Sequence, residues 1–434
     1  LEEGKIEPGE WYLPARGPDA EEKSLRMQAD RVKPVPPVDV RTLTAAIDRV
    51  VGKYPKTSLS MSQCTSDHNL KAAMSAVVLD SSPGYPFAVC FNTNAELLAN
   101  PIAAEAVQKL ALWRLRQLSA ADPVEWEREM IRDPTWAIKN GFVDPMRLFV
   151  KDEPHSLKKF LEGRWRLINS LSITDQIVER MLYTTQDQAE ISLWQHIPSK
   201  SGMGLDDASV ATLLAYANAN HLNLSTDVEN WDFKAPDQII RSDAEARILL
   251  NQAKDPEWER AVRAQYLLHS HRVLMLSNGK CFKRTILGGQ ASGRKVTSSS
   301  NGRCRNILEA IVALHLQYVP AAMTQGDDAV TRCPDWLHVD TLAKEYLDTF
   351  DIKLTDMVKR DAPILAINFC SQEMSRVGGE VRCVPEKPQK QLARFIAALK
   401  NPDRMQALES MKENLRHHRD RPVYLLAAEA ALAT

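Results

Sequence analysis

Two short acidic segments of this 434-residue chain are the first places to look for chemistry. Asp227-Val-Glu-Asn-Trp-Asp232 begins at the end of an alternating apolar and polar run, His221–Asp227, that reads as a strand, and it adds a second acid five residues on. Gly326-Asp327-Asp328 sets two acids between two short strand-like runs, 321–325 and 329–331, where glycine permits a tight turn. If these strands pair, Asp227 and Asp327 face each other across a small gap. Hard carboxylate oxygens suit Mg²⁺, which takes one or two carboxylates and completes its shell with waters and substrate phosphates. Two such ions roughly 3.5–4 Å apart would clamp an in-line phosphoryl displacement. The plainer reading is a pair of solvated acidic turns, so the surrounding residues have to decide.

Those surroundings are polar and basic. Ser292-Gly293-x3-Thr297-x3-Asn301 follows the Gly288-Gly289 turn and opens a helix whose positions 304, 307, 308, 311 and 314 keep one apolar face. Thr297 and Asn301 are four apart and share a helix face. A hydroxyl and an amide stacked this way can bond a sugar 2′-OH, which both donates and accepts. They also suit an ordinary polar helix start. Residues 280–305 carry Lys280, Lys283, Arg284, Arg294, Lys295, Arg303 and Arg305 without an acid, and residues 151–166 carry Lys151, Lys158, Lys159, Arg164 and Arg166. In a chain of net charge −1, phosphates are the natural counter-charge for such local excesses.

The elements that must position these residues mix long helices with a few short strands, which makes the fold class α+β. The Pro-rich first 40 residues read as an extended strap rather than a core element. Helices are expected over 41–53, 94–130 and 172–195, and a strand at 148–150. Charged residues at 26% and hydrophobic ones at 44% exclude a disordered or collagen-like chain. Seven scattered cysteines without a C-x-x-C pair fit free thiols in a reducing compartment. No apolar run approaches a membrane span. A chain opening on Leu1 is expected of a processed or trimmed piece of a longer product. The pairs His269/His271 and His417/His418 lack partners at zinc spacing. Trp165 suits either stacking on a base or anchoring its loop in a core.

Taken together, six segments stand in one order: Ser82-Pro83-Gly84-Tyr85-Pro86, Lys151-Asp-Glu-Pro through Gly163-Arg164-Trp165-Arg166-Leu-Ile, Asp227-x4-Asp232, Ser292-Gly293-x3-Thr297-x3-Asn301, Gly326-Asp327-Asp328, and Phe369-Cys370-Ser371. The series resembles motifs G, F, A, B, C and E of positive-strand viral RNA-dependent RNA polymerases, most of all those of sobemoviruses, poleroviruses and barnaviruses. That resemblance implies a right-hand fold with an RRM-like antiparallel palm sheet. Fingers would comprise 1–220 and 240–290, with 1–40 as an arm bridging fingers to thumb. The palm would comprise 221–239 and 291–385, and the thumb 386–434, short enough to suggest truncation.

The resemblance also implies roles. Asp227 and Asp327, assisted by Asp328, would bind two Mg²⁺ ions, with Mn²⁺ able to substitute. Lys151, Lys159, Arg164 and Arg166 would grip the NTP triphosphate. Asp232 and Asn301, supported by Thr297, would select ribose, and Ser292-Gly293 would sense the new base pair. Ser82, Pro83, Gly84, Tyr85, Arg294, Lys295, Cys370 and Ser371 would contact RNA, with a buried structural thiol as the other reading of Cys370. A motif D lysine would protonate the leaving pyrophosphate: Lys359 is expected, with Lys353 in reserve. The activity implied is RNA-directed synthesis of RNA for a positive-strand viral genome. Its partners would be template and product RNA, NTPs, a genome-linked protein primer and other viral replication proteins. Its location would be host cytoplasm, in membrane-associated replication complexes reached through partners. A reverse transcriptase would carry an aromatic block to the 2′-OH and a Tyr-x-Asp-Asp turn. A non-catalytic RNA-binding relative would have lost metal ligands, and none is missing here.

Overall fold

The computed structural model describes residues 11–399 and 403–432. Its strands, in chain order, are β1 (Trp11–Tyr12), β2 (Met146–Val150), β3 (His155–Ser156), β4 (Leu167–Ser170), β5 (Leu224–Val228), β6 (Val273–Met275), β7 (Cys281–Lys283), β8 (Ala322–Gln325), β9 (Asp328–Thr331), β10 (Leu354–Lys359), β11 (Ala366–Phe369), β12 (Gln372–Val377) and β13 (Glu380–Pro385). They form separate small sheets among many helices, the α+β arrangement expected.

The sheet that matters for chemistry runs β10-β5-β9-β8, all antiparallel. Helices cover both of its faces, so β5 is nearly all buried despite its polar Ser225 and Thr226. On one face the helix Thr297–His315 packs Ile307, Ile311 and their neighbours into one core with Leu224, Val228 and Leu354. On the other, Val210, Leu213 and Leu214 of the helix Asp207–Ala219 pack with Met323 and Val330. The buried hydroxyls find partners: Ser225 Oγ accepts from the Asn368 amide at 3.0 Å, and Thr226 Oγ1 accepts from Arg305 at 2.9 Å.

A second sheet, β4-β2-β6-β7, carries the basic segment, and the helix Pro18–Ala29 lies on it. This helix corrects the expectation of a strap without core. Pro18 stands in the first helical turn, where a missing N–H costs nothing. Leu25 shares a core with Leu148, Trp165 and Leu274. Residues 30–39 do run without helix or strand, as their prolines demand. Trp11 and Tyr12 pair with Ser156 and His155, and the Lys390 ammonium lies 5.5 Å from the Trp11 ring centre. The chain near position 11 thus touches both the basic segment and the C-terminal helices; residues 1–10 lie outside the described residues. The single helix expected over 94–130 is three, Asn94–Ala99, Pro101–Ala120 and Pro123–Arg132. They break where Asn100 and Asp122 cap the following helix and proline takes its first turn. The last described helices, Pro388–Ala398, Arg404–Asn414 and Arg421–Leu432, share a small core of their own around Phe395, Leu408 and Tyr424.

Candidate active site

The acids gather at one end of the first sheet. Thr226 pairs with Ala329, so the next step in register sets Asp227 against Asp328, and Gln325 pairs with Asp328 across the Gly326-Asp327 turn. Gly326 has φ +63°, a left-handed conformation that glycine adopts without strain. Arg305, buried on the helix Thr297–His315, holds the turn from behind by donating to the Asp327 carbonyl at 3.0 Å while its other arm bonds Thr226.

The electrostatics of this corner are those of crowded anions. Burial pushes the Asp227 carboxyl up to about 6, helped by Asp327 and Asp356. Burial, then Asp227, Asp327 and Glu386, push Asp328 up to about 8. Burial raises Asp327 too, against the pull of Arg166 and Arg305. Asp232 rises to about 6 through burial and Asp327, with Arg166, Arg272 and Lys151 opposing. Like charges held this close disfavour joint ionisation. Among the described residues no three His, Cys, Asp or Glu side chains already close around one point. A cation would fit this donor set, which is hard, anionic and short of counter-charge, if waters or substrate phosphates completed its shell.

Around the acids, the expected residues divide into those the fold brings near and those it does not. Lys159, exposed Arg166 and half-buried Lys151 and Arg164 lie on and around the short helix Leu157–Glu162 and strand β4, and Glu153 pairs with Lys151 at 3.1 Å and Arg166 at 3.8 Å. Burial and the neighbouring Arg164 hold the Lys159 ammonium below its usual range. Asn301 is buried, and its Oδ1 accepts from the Trp231 indole at 2.9 Å, leaving its amide NH₂ without a partner among the described residues. Asp232 and Asn301 do not bond each other; Trp231 ties the two segments. Thr297 donates to the carbonyls of Ala291 and Arg294 at 3.0 and 2.9 Å, so it fastens the loop ahead of the helix rather than joining Asn301. A side chain at Gly293 would strike the Asn169 carbonyl at 1.7 Å, which explains glycine where this loop crosses β4. Ser292 leans on the Leu167 carbonyl at 3.5 Å. Ser82 accepts from the Gly84 amide, the Pro83 carbonyl accepts from Ile173, and Tyr85 follows, half-buried. Cys370 and Ser371 form the β11–β12 turn, and burial together with Asp328, Asp327 and Asp227 raises the Cys370 thiol.

Three readings need correction. Lys359 pairs with Leu224, while Asp227 pairs with Thr355, and its ammonium donates to the Pro334 and Leu337 carbonyls. Because β10 runs antiparallel to β5, each residue after Thr355 steps away from the acids. Lys353 stands at the other end, its carbonyl accepting from the Glu229 amide at 3.0 Å and its side chain exposed. Arg294 is 4% exposed and bonded to Glu179 at 2.6 Å, so it is part of the core, not a contact for RNA. Lys295, half-buried, leans on Asp187 at 3.6 Å. The basic run 280–305 mostly turns inward: Arg303 and Arg305 are buried, Arg284 donates to the Phe233 carbonyl, and Lys280 pairs with Glu22. Trp165 is buried in the core beside Leu148, which settles its two readings. Residues that sequence reasoning missed are Arg305 as support for the turn and Glu386 and Asp356 as further acids. Arg305 had a signal in the basic run 280–305, and Asp356 lies between Lys353 and Lys359; Glu386 had none.

The profile of viral RNA-directed RNA polymerases matches residues 61–233 and 207–374. The replicase polyprotein P2AB of Cocksfoot mottle virus is 32% identical over 86% of this chain and 39% of its own length. Protein P1-P2 of Potato leafroll virus is 30% identical over 73% of the chain and 32% of its length. The RNA-directed RNA polymerase of Mushroom bacilliform virus is 30% identical over 69% of the chain and 70% of its length. The chain thus spans about two fifths or less of the polyproteins it matches. A Sicinivirus 3Dpol RNA-dependent RNA polymerase shares the fold, with a TM-score of 0.61 at 16% identity over 94% of this chain and 90% of that one.

Proposed function

This chain belongs to the viral RNA-directed RNA polymerase family, and on that premise we propose that it transfers nucleotides from NTPs to an RNA 3′-OH along an RNA template. The genome copied would be a positive-strand viral one. The observation that carries this reading is the pairing of β5 with β9, which sets Asp227 against the Gly326-Asp327-Asp328 turn at a corner short of positive charge. Asp227 and Asp327, with Asp328, would hold two divalent cations, Mg²⁺ by the chemistry of the donors. Bound there, the ions would lower the pKa of the attacking hydroxyl and neutralise the leaving pyrophosphate. Arg166 reaches furthest toward this corner, since Asp232 and Asp327 both feel its charge, and with Lys151, Lys159 and Arg164 it would orient the triphosphate. The free amide of Asn301, held in place by Trp231, is the group we assign to the ribose 2′-OH. We assign Lys353, not Lys359, to the proton delivered to pyrophosphate, because it alone of the two stands at the acids' end of β10.

Work in host cytoplasm, through partners that bring it to membranes, and priming by a genome-linked protein extend the same reading. Among the described residues no helix is long and apolar enough to cross a membrane. The test is template extension by the purified chain with Mg²⁺ or Mn²⁺, run with NTPs or dNTPs and with or without primer. Asp327→Ala should abolish addition and leave RNA binding largely intact. Synthesis by that variant at the parent rate would reject the role given to the acids.

A further inference from the structure

We infer that Arg284, with Arg272 on the same turn, is a positioning residue that sets Asp232 for ribose selection, an inference that rests on the polymerase reading above and deepens it. Asp232 lies on the helix Trp231–Lys234, a single turn with little stability of its own. Arg284 donates from Nη2 to the Phe233 carbonyl of that helix at 2.7 Å and from Nε to the Ile286 carbonyl at 3.2 Å. Arg272 donates to the His269 carbonyl at 3.0 Å and to the Gly288 carbonyl at 3.1 Å. The Gly289 amide donates to the Ala235 carbonyl at 2.7 Å, and Gly288 bridges Pro236. The Gly288-Gly289 turn, just ahead of the Ser292-Gly293 loop, is thereby fastened to the helix that carries Asp232.

The fit leaves no slack. Gly289 has φ +70°, and a side chain there would meet the Asp232 carbonyl at 2.6 Å and the Arg284 guanidinium. Glycine alone lets the turn lie against the Asp232 backbone in this conformation. On the other side, the Trp231 indole donates to Asn301 at 2.9 Å. Asp232 is therefore held through the residue before it, by Asn301, and through the residue after it, by Arg284.

The partners of these two arginines set them apart. Arg114, Arg247, Arg294 and Arg303 each meet an acid in the core. Among the described residues, Arg272 and Arg284 bond carbonyls alone. A guanidinium is a flat fork of N–H donors, so one side chain can bind carbonyls of two segments and fix the distance between them. An ammonium keeps the charge but not that planar reach. Bonds of this kind fix a backbone, and the backbone they fix is the one that aims Asp232.

The test measures single-nucleotide addition by the full chain with an NTP and with the matching dNTP, for the parent, Arg284→Lys, Arg272→Lys and Asn301→Ala. Loss of one carbonyl from the fork should cut the preference for NTP over dNTP about fivefold in each lysine variant. The loss should fall on KM for the NTP, with kcat/KM for the dNTP at the parent value, because a dNTP has no 2′-OH to misplace. Added to Asn301→Ala, Arg284→Lys should lower the preference no further, since both act on one network. Arg284 is half-buried, so its variant should melt near the parent and decides the matter even if Arg272→Lys does not fold. An equal fall in kcat/KM for both substrates would mark a merely structural role and overturn the inference. An unchanged preference, or an effect that adds fully to that of Asn301→Ala, would overturn it too. A parent chain that adds neither nucleotide would instead overturn the polymerase reading beneath it.

Discussion

Two clusters of charge lie on either side of the helix Thr297–His315, and they are built on opposite rules. In the network at its inner face every acid has an arginine. Arg303 bonds Asp243 and Glu190, Arg247 lies 3.3 Å from Asp187 and 3.6 Å from Asp243, and Ser299 and Ser300 donate to Asp187 and Asp243 at 2.9 and 2.6 Å. Burial works against the Asp243 charge, yet Arg303 and Arg247 hold its carboxyl below the usual range. At the corner of the sheet the acids face each other, and burial and mutual repulsion drive Asp328 up to about 8. Matched charges fix a backbone in place; unmatched ones keep a position open for a ligand that supplies the missing charge. The helix between them carries Arg303 into the first cluster and Arg305 behind the second.

Breaking the matched cluster should produce the largest change. Arg303→Met leaves buried Glu190 without an arginine and Asp243 with Arg247 alone, and should lower stability by about 3–5 kcal/mol, read from chemical denaturation. An unchanged midpoint would mean the network does not hold the helix. Next, Lys353→Leu should slow single-nucleotide addition about 10²-fold with little change in NTP affinity, while Lys359→Leu stays near the parent rate. The reverse pattern would restore Lys359 despite its distance along β10.

A smaller effect sharpens the contrast by pH. The Asp328 carboxyl, ordinarily near 3.8, titrates near 8 in the fold, so the folded chain binds more protons than the unfolded one between those values. Stability in EDTA should therefore fall as pH rises from about 4 to about 8. Asp328→Asn should flatten that slope and melt higher than the parent at pH 8, although it loses activity. Cation binding, which needs the ionised form, should tighten over the same interval. Melting curves against pH with and without Mg²⁺ would show both, and a parent chain whose midpoint rises over that interval in EDTA would contradict the crowding. The smallest expected change is in selectivity. Asn301→Ala should reduce the preference for NTP over dNTP by about tenfold, since one hydrogen bond is lost. An unaltered ratio would move ribose selection elsewhere.

Much of the site was legible because it lies in short segments. Asp227, Asp327 and Asp328 are fixed by the strand-turn pattern around them, and the register that joins them follows from two antiparallel pairs. Lys359 was misplaced for the same kind of reason. A count of residues after Asp328 does not reveal which way the next strand runs, and its antiparallel pairing sets Lys359 opposite Leu224 and leaves Lys353 at the end of β10 where Asp227 lies. Arg294 and Trp165 show a second limit. Both sit in a segment rich in cations, yet one meets Glu179 and the other Leu148, partners more than 15 residues away in the chain.

The sequence by itself determined the α+β class, the order of the functional segments and the types of side chain offered to a cation and a phosphate. These are local properties, set by spacing and by the few residues that tolerate a turn. Tertiary structure alone decided which charges are neutralised. Of the arginines in the basic run, Arg294 and Arg303 are consumed by acids and Arg305 by a carbonyl and a hydroxyl. The reason is that Coulomb energy depends on distance through space and on exclusion of water, and neither is written along the chain.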